Sequence, residues 1–375
     1  MVNKKRLIKT LEELIALDSQ NPPGDERQVA LFVAAYLKRL GLKIKTYTFK
    51  KNRVNVIATL QAQTKAKSLL LTPHLDTVPA GKSWSSNPLR GKICGDKIYG
   101  LGATDCKGNL VVGLEAIKSL VEDGVKLDYN LIFAATADEE SGSNLGLIPL
   151  LERKLLKADA AIVLDADDFE IVVTQKGLMH LKVRLKGKKA HGAYPWLGEN
   201  AIEQAAQIIT VLKKQKVKYQ VNKYLHQPTI NVGTIKGGDK VNVVSDWCEF
   251  ELDYRFLPGM SAQKIINNLK KTISRYSRKF KIEIQGIQAP YFISPQHPLV
   301  KNLNIAMQSI GVNSRISGSE GATVITFFKK HKIPALATGF GAEGCAHIAD
   351  EYASLTNLES GVKVLVEFLK NFKFV

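Results

Sequence analysis

Two short apolar runs constrain the fold of this chain more than any other feature. They cover residues 131–137 and 160–164. Continuous apolar runs of this length are typical of strands that are covered on both faces. Because such strands occur mostly in sheets that are packed between helices, the runs predict an α/β fold.

The segments around these runs alternate between helix and strand. Apolar residues recur at helical spacing over 4–17, 29–40 and 110–121, whereas 54–60 and 68–72 have the pattern of strands. We therefore expect a domain with helices on both faces of a mostly parallel sheet.

The pattern changes near Gly177 into a second, complete unit. Strands are predicted at 178–186, 229–235, 241–256 and 281–288, and helices at 199–214 and 262–278. This β-α-β-β-α-β order is the ferredoxin-like α+β arrangement. We place this unit at residues 178–290, inserted into a larger domain made of residues 1–177 and 291–375.

Length, hydropathy and cysteine content narrow the class of protein. The chain has 375 residues, 45% hydrophobic and 23% charged, which suits packed domains rather than disorder. No apolar run approaches the length of a membrane span, and the basic first ten residues lack a signal-peptide pattern. The four cysteines show no CxxC spacing, so we expect reduced thiols in a cytoplasmic protein without a membrane partner.

The chain is strongly basic, with a formal net charge of +18 and a pI near 9.5. Such charge attracts nucleic acid and other anions. No nucleic-acid motif accompanies the basic clusters, and aromatic residues are not interleaved with them. We therefore favour a solvated basic surface over a nucleic-acid site. Nucleic-acid binding, the alternative, predicts steeply salt-dependent association.

Five short segments concentrate histidine and acidic residues. They contain His74 with Asp76, Asp105, Glu139 with Glu140, Asp165, and His347 with Asp350 and Glu351. Several of these segments directly follow predicted strands. Since ligands gather at the carboxyl ends of strands in open α/β sheets, we expect these side chains to converge on one rim.

Each segment alone also has a purely structural explanation. A histidine near a strand end is usually a satisfied polar residue, Glu139 and Glu140 suit a helix N-terminus, and Asp105 suits a helix cap. Four acidic groups that converge without a cation, however, would repel each other strongly. A pair of divalent ions removes that repulsion. Two imidazoles among carboxylates suit zinc better than calcium or magnesium.

As an ordered set, these segments resemble the motifs of a known family. The motifs are HxDxVP at 74–79, GxGxxDxKG at 100–108, DEExG at 138–142 and AHxxxE at 346–351. With the inserted domain, they are similar to the acetylornithine deacetylase / succinyl-diaminopimelate desuccinylase family of two-zinc metallopeptidases and aminoacylases. The resemblance extends over residues 5–370. It implies a metal-dependent hydrolase that cleaves a non-cyclic amide or peptide C–N bond.

The resemblance implies how the chain holds metal. His74 and Asp165 hold one zinc ion, and Glu140 and His347 hold the other. Asp105 bridges both ions. The implied cofactor is two Zn²⁺ per chain, for which Co²⁺ or Mn²⁺ can substitute.

Two further acidic residues are implied to serve the reaction without holding metal. Asp76 fixes the tautomer of His74 by a hydrogen bond. Glu139 is the general base that takes a proton from the metal-activated water and later passes it to the leaving amine. The peptide bond between Asp105 and Cys106 is expected to be cis.

Four other residues are implied to contact the substrate. His191 stabilises the oxyanion, and in dimeric relatives it reaches the active site of the partner; a polar turn histidine is the structural alternative. Asn242 and Arg255 match positions that grip a substrate carboxylate. Gly321 lies where relatives have a glycine-rich substrate loop, although its neighbours depart from their usual Gly-Thr. We expect a homodimer that forms through the inserted lid domain.

Two features of the sequence bear on the substrate class: its overall similarity to one branch of the family, and one residue, Asp165, that departs from that branch. Length and loops are similar to the deacylase branch, which predicts hydrolysis of an N-acyl amino acid. At Asp165 the deacylases and carboxypeptidases usually have glutamate, whereas aspartate resembles the dipeptidases and tripeptidases. A dipeptidase or carboxypeptidase that acts on short peptides is therefore the alternative. An inactive binding protein is less favoured, because all six metal-binding and general-base side chains are present.

Overall fold

The computed structural model describes residues 2–62 and 66–374, which form two compact units. The larger unit contains the residues up to Val173, Ile293–Ser317 and the residues from Thr323 onward. The smaller unit contains Thr174–Phe292 and Gly318–Ala322. In these described ranges, no helix is both long and apolar enough to cross a membrane.

Helices and strands alternate along most of the chain. The helices are α1 (Lys4–Ala16), α2 (Arg27–Arg39), α3 (Lys107–Glu122), α4 (Leu147–Glu152), α5 (Ala201–Lys214), α6 (Ala262–Ile273), α7 (Pro298–Ser309), α8 (Ile325–Lys330) and α9 (Leu355–Asn371). The strands are β1 (Lys43–Lys50), β2 (Arg53–Leu60), β3 (Ser68–Thr72), β4 (Lys92–Cys94), β5 (Lys97–Tyr99), β6 (Asn130–Ala135), β7 (Ala160–Leu164), β8 (Glu170–Gln175), β9 (Gly177–Lys186), β10 (Thr229–Gly237), β11 (Trp247–Phe256), β12 (Phe280–Gln288), β13 (Tyr291–Phe292), β14 (Arg315–Ser319), β15 (Ala335–Thr338) and β16 (Tyr352–Ser354).

A mixed sheet forms the core of the larger unit, in the order β1-β2-β6-β3-β7-β15-β8. Its centre is parallel, since β3 pairs in parallel with β6 and β7, and β15 pairs in parallel with β7. The flanking pairs of β1 with β2, β2 with β6 and β15 with β8 are antiparallel. The predicted α/β class is confirmed, with parallel pairing concentrated at the centre of the sheet.

The two apolar runs form the most buried part of this sheet. Every residue of β7 is buried, and β6 is buried after its first residue. Helix α3 approaches the sheet closely at a glycine, because a Cβ atom on Gly113 would lie 2.6 Å from the ring of Phe133. Gly113 therefore allows α3, which Asp105 and Cys106 directly precede, to pack closely on the sheet.

The smaller unit is built on an antiparallel sheet in the order β10-β11-β9-β12. Together with α5 and α6, its elements follow the predicted β-α-β-β-α-β order, so the ferredoxin-like arrangement is confirmed. Along β9 every second residue is buried. Those residues, Met179, Leu181 and Val183 among them, share one core cluster with Phe250 of β11 and Ile208 of α5.

One strand of the smaller unit is shorter than predicted. β11 begins at Trp247 rather than at residue 241. The valine-rich segment before it resembles a strand, but its backbone takes other hydrogen bonds. Val243 N donates to Lys240 O at 3.1 Å within a turn, and Val244 N donates to Ala190 O at 2.9 Å.

Several strands at the margins were not predicted. β1 has a half-exposed sequence, KIKTYTFK, in which lysine and threonine dilute the apolar signal. β4, β5 and β16 have three residues each and form a separate small sheet. Segments that are this short or this polar carry little periodicity of their own, because pairing with neighbouring strands holds them in place.

Candidate metal centre

The five predicted metal-binding side chains lie together in the larger unit. Three of them follow parallel strands, with His74 after β3, Glu140 after β6 and Asp165 after β7. The carboxyl ends of parallel strands meet at one edge of a sheet, which brings these residues close. Asp105 precedes α3, and His347 lies in the loop after β15 with a left-handed φ of 62°.

Asp105 occupies the middle of this cluster. Its Oδ1 atom lies 2.8 Å from Nε2 of His74, and its Oδ2 atom lies 3.1 Å from Nε2 of His347. The carboxylate therefore faces a different imidazole with each oxygen. The peptide bond from Asp105 to Cys106 is cis, as the family resemblance implies.

Each of the two imidazoles also faces a second carboxylate. Nε2 of His74 lies 3.7 Å from Oδ1 of Asp165, and Nε2 of His347 lies 3.1 Å from Oε2 of Glu140. The cluster thus divides into two pairs that have Asp105 in common. Across this division, ligand atoms of His74, Asp105 and Glu140 all lie within 4.8 Å of one another.

The structure does not support the simpler explanations for these acidic residues. Helix α3 has Cys106 at its N-cap, and among the described residues no side chain caps it. Asp105 is therefore not a helix cap. Glu139 and Glu140 lie in a 3₁₀ turn, Glu139–Ser141, rather than at the start of an α-helix.

Glu351 holds the backbone around Asp105. Its buried carboxylate accepts hydrogen bonds from the amide of Gly102 at 2.8 Å, of Thr104 at 2.8 Å and of Asp105 at 2.9 Å. The sequence predictions gave Glu351 no role, although the AHxxxE motif ends on it. The motif is the sequence signal from which a role for Glu351 could have been predicted. The three contacts show that Glu351 positions the loop that presents Asp105.

Asp76 is fully buried and contacts both the histidine and the acidic turn. Nδ1 of His74 lies 2.9 Å from the Asp76 carbonyl oxygen and 3.5 Å from its carboxylate, so the backbone makes the closer contact. The carboxylate accepts hydrogen bonds from the amides of Glu139 at 3.0 Å and Glu140 at 3.1 Å. It also accepts one from Nδ2 of Asn21 at 2.8 Å. Asp76 therefore orients the turn as well as His74.

The electrostatics of the cluster favour a cation. Hydrogen bonds to Asp105 and Glu140 raise the pKa of His347 to about 10. Burial, and then the charge of Asp165, raises the pKa of Glu139 well above its ordinary value. The raised pKa of His347 reflects the two carboxylates beside it, whereas for Glu139 burial contributes more than the neighbouring negative charges.

Cys106 adds a sulfur atom that was not among the predicted site residues. Its Sγ atom lies within 4.8 Å of ligand atoms of His74 and Asp165. The buried thiol donates to the carbonyl oxygen of Leu164 at 2.9 Å, and burial raises its pKa to about 12. A thiol that keeps its proton fills space beside the cluster and is a poor metal ligand.

The donor set fits a divalent metal, and zinc in particular. It combines two imidazoles with three carboxylates, a mixture that calcium and magnesium do not prefer. The His74 side chain is only 2% exposed, whereas the His347 side chain is 52% exposed. The larger unit therefore contains a candidate His/Asp/Glu metal site with its accessible side at His347.

In the smaller unit, the structure brings two predicted substrate contacts together. The amide of Gly192 donates to the carbonyl of Asn242 at 2.8 Å, and a Cβ atom on Gly192 would lie 2.9 Å from that carbonyl carbon. The neighbouring His191 is exposed, as is Asn242. Nδ1 of His191 accepts a hydrogen bond from the amide of Ala193 at 3.0 Å. The proton of the neutral ring is thus on Nε2, where it is available as a donor.

The other two predicted contacts of the smaller unit are Arg255 and Gly321. Arg255 lies on β11 and forms a two-pronged ion pair with Asp253, from Nε at 2.7 Å and from Nη2 at 3.0 Å. Part of its guanidinium is therefore already engaged. Gly321 is exposed and follows Glu320, which forms an ion pair at 2.5 Å with the buried Lys176.

Comparison with known proteins gives a family match over most of the chain. The family model described as peptidase family M20/M25/M40 matches residues 70–371, which is most of the chain. The chain is 29% identical to an acetylornithine deacetylase of Vibrio cholerae over 373 residues, which cover 95% of this chain and 94% of the relative. It is 28% identical to the acetylornithine deacetylase of Proteus mirabilis, with 98% and 95% covered.

Solved structures share the fold over nearly the whole chain. Aminopeptidase PepT from Bacillus cereus has a TM-score of 0.83 at 22% identity, with 98% of each chain covered. A metallo-carboxypeptidase from Sulfolobus solfataricus has a TM-score of 0.79 at 24% identity, with 97% and 98% covered. A tripeptidase from Staphylococcus aureus has a TM-score of 0.79 at 25% identity, with 99% and 98% covered.

Proposed function

The chain belongs to peptidase family M20/M25/M40, and from this premise we propose that it is a deacylase of N-acyl amino acids, of the deacetylase or desuccinylase type. As a member of the family, it is a metallohydrolase that acts on peptide or amide C–N bonds. The near full-length similarity to acetylornithine deacetylases supports the deacylase branch. The product would be a free amino acid together with a small carboxylic acid.

One observation carries the proposed chemistry. The two oxygens of Asp105 face two different imidazoles, at 2.8 Å for His74 and 3.1 Å for His347. We propose that His74, Asp165 and Asp105 would hold one zinc ion, and that His347, Glu140 and Asp105 would hold a second. Co²⁺ and Mn²⁺ are expected to substitute, because imidazole and carboxylate ligands accept them as well.

In this proposal, Glu139 is the general base. When bound, the ions lower the pKa of a water and polarise the scissile carbonyl. The backbone amide of Glu139 donates to the Asp76 carboxylate at 3.0 Å, and this contact fixes the turn. The side-chain carboxylate of Glu139 is not used in that contact, and we assign it as the proton acceptor. Glu139 takes the proton from the attacking water and transfers it to the nitrogen of the leaving amine.

We assign substrate recognition to the smaller unit. His191 would donate to the oxyanion through Nε2, since its Nδ1 atom already accepts from Ala193. Asn242 and Arg255 would bind the substrate carboxylate, and the loop at Gly321 would border the substrate. We also propose a cytoplasmic homodimer that forms through the smaller unit, in which His191 serves the partner's active site.

A dipeptidase or carboxypeptidase is the second candidate. Asp165 favours it, because the deacylase branch usually has glutamate at this position and aspartate is shorter by one methylene. The tripeptidase similarity at 25% identity points in the same direction. Both candidates use the same metal cluster and differ only in the group that flanks the scissile bond.

A substrate panel separates the two candidates. Zinc-loaded protein would be assayed with N-acetylornithine, N-succinyl-diaminopimelate and a set of dipeptides, with release of free amine as the readout. The deacylase proposal predicts the highest kcat/KM on an acylated amino acid, and the Glu139→Ala variant controls for contaminating hydrolases. A preference for dipeptides would favour the second candidate. Hydrolysis of none of these substrates by metal-loaded protein would contradict both.

A further inference from the structure

A buried network of polar side chains lies behind the acidic turn that carries Glu139 and Glu140. Apart from Asp76, none of its members has been assigned a role above. Its members are all at most 5% exposed and belong to the larger unit: Asn21, Glu26, Arg53, Asp76 and Asp138. Buried charges are costly unless they are paired, so each charged group of this network needs partners.

Arg53 is the only cation among these five residues. Its Nη2 atom lies 2.7 Å from Oδ1 of Asp138 and 2.8 Å from Oε1 of Glu26. Its Nη1 atom donates to Oδ1 of Asn21 at 3.4 Å. One guanidinium therefore joins two carboxylates and an amide that come from separate parts of the sequence.

The chain makes room for this guanidinium. Gly24 has a φ of +81°, and a Cβ atom on it would lie 2.0 Å from Nη1 of Arg53. Any side chain at position 24 would displace the guanidinium. The loop at Gly24 therefore packs closely against the guanidinium of Arg53.

One arm of the network leads to the turn through Asp138, the residue directly before Glu139. Asp138 adopts a left-handed φ of 67°. Its Oδ1 atom is bound by Arg53, and its Oδ2 atom accepts from the amide of Leu145 at 2.9 Å. Aspartate adopts the left-handed region more readily than most residues, and these two contacts hold its carboxylate in place there.

A second arm reaches the same turn through Asn21. Nδ2 of Asn21 donates to Oδ2 of Asp76 at 2.8 Å. That carboxylate in turn accepts from the amides of Glu139 and Glu140. Arg53 thus contacts the turn at Asp138, and it reaches the turn indirectly through Asn21 and Asp76.

We propose that Arg53 is a positioning residue that holds the turn in the conformation that presents Glu139 as base and Glu140 as metal ligand. Arg53 acts through Asp138, through Asn21 and through Glu26, whose Oε1 atom also accepts a hydrogen bond from the Asp138 amide at 3.3 Å. The proposal depends on the proposed function for the roles of the two glutamates. The structural part of the proposal is that the two terminal nitrogens of the Arg53 guanidinium, a fork of donors, hold the turn in place. This part can be measured without any reaction. Lysine keeps the charge at this position but cannot reproduce the fork, because it is a single point donor.

The test compares Arg53→Lys with Arg6→Lys. Arg6 is a matched control in the larger unit, since its guanidinium binds the buried Glu115 at 2.6 Å far from the turn in the sequence. For Arg53→Lys we expect faster hydrogen–deuterium exchange over residues 138–145 of the metal-free protein. We also expect zinc affinity and kcat to fall by about 10- to 100-fold, with KM little changed. Arg6→Lys should alter neither the exchange at the turn nor kcat.

Asn21→Ala provides a second variant, which removes only the arm that runs through Asn21 and Asp76. It should increase exchange at the amides of Glu139 and Glu140, which Asp76 binds, and reduce kcat less than Arg53→Lys does. Unchanged exchange over residues 138–145 in folded Arg53→Lys protein would overturn the proposal. An inactive wild-type protein with a protected turn would instead contradict only the proposed function, because the exchange readout requires neither metal nor substrate.

Discussion

At the scale of single residues, Asp105 links two histidines that are far apart in the sequence. Its oxygens lie 2.8 Å from His74 and 3.1 Å from His347. A single carboxylate therefore couples the two halves of the cluster. Glu139 stands beside these residues with a strongly raised pKa, for which burial is the first cause. Such a group is suited to accept a proton inside the site.

The assignment of Glu139 as base predicts a selective loss. Glu139→Ala should keep its bound zinc, because the five proposed ligands are untouched, and lose about 10²- to 10⁴-fold in kcat. Steady-state kinetics together with metal analysis by mass spectrometry would measure both quantities. Near-normal turnover in this variant would remove Glu139 from the mechanism.

The assignment of His347 predicts a change in metal content. His347→Ala should lower bound zinc from about two ions to about one per chain, because the pair of His74 and Asp165 keeps its ligands. His331→Ala, a histidine outside the cluster in the larger unit, is the control and should keep both ions. Unchanged zinc content in His347→Ala would show that this histidine is not a ligand.

Sequence motifs predicted which ligand candidates converge, but not how the loops are held. His74 and Asp165 follow apolar strands, so their meeting at one edge follows from the sheet. The three amide contacts of Glu351 and the position of Cys106 depend on local backbone paths. The spacing of residues does not specify such paths, because many loop conformations satisfy the same motif.

At the scale of elements, the end of β15 positions one side of the cluster. β15 pairs in parallel with β7, and Thr338 lies opposite Leu164 in this register. The amide of Asp165 then donates to the carbonyl of Thr338 at 3.0 Å. The next residue, Gly339, approaches so closely that a Cβ atom on it would lie 1.4 Å from the carbonyl oxygen of Ala166.

This close approach predicts that Gly339 does not tolerate a side chain. Gly339→Ala should lower the free energy of unfolding by about 1–3 kcal/mol or more, because backbone must move to make room. Metal affinity should fall with it, since Asp165 is adjacent. Gly286→Ala is the control, because nothing lies within 4 Å of its Cβ position. Chemical denaturation that gave equal stability for both variants would contradict the close packing.

Elements with strong periodicity could be predicted, and those held by their neighbours could not. β3 and β7 have the predicted bounds because each is a nearly uniform apolar run. β1 was missed because its sequence is polar. The start of β11 was placed too early because the valines before it resemble a strand, while their backbone bonds to the loop at Ala190.

At the scale of the whole molecule, the proposed chemistry is divided between two units. The metal cluster lies in the larger unit, and His191, Asn242 and Arg255 lie in the smaller unit. The interruption of one α/β pattern by a complete β-α-β-β-α-β unit was predictable, because the hydrophobic period changes there. Whether His191 serves its own chain or a partner was not predictable in this way, because oligomeric contacts leave no periodic signal.

The proposed action of His191 in the partner's site predicts complementation. His191→Ala and Glu139→Ala homodimers should both be inactive. Mixing and reassembling them should restore about a quarter of wild-type activity, because half of the dimers are mixed and one site in each is complete. Analytical ultracentrifugation would verify the dimer. Mixed dimers that stayed inactive would place His191 at the site of its own chain.

The central claim is that Asp105 bridges two metal ions. An anomalous difference map recorded at the zinc edge, from crystals grown with zinc, tests it most directly. We predict two peaks about 3.5–4 Å apart, one beside His74 and Asp165 and the other beside Glu140 and His347. A single peak, or no peak at Asp105, would contradict the two-metal site.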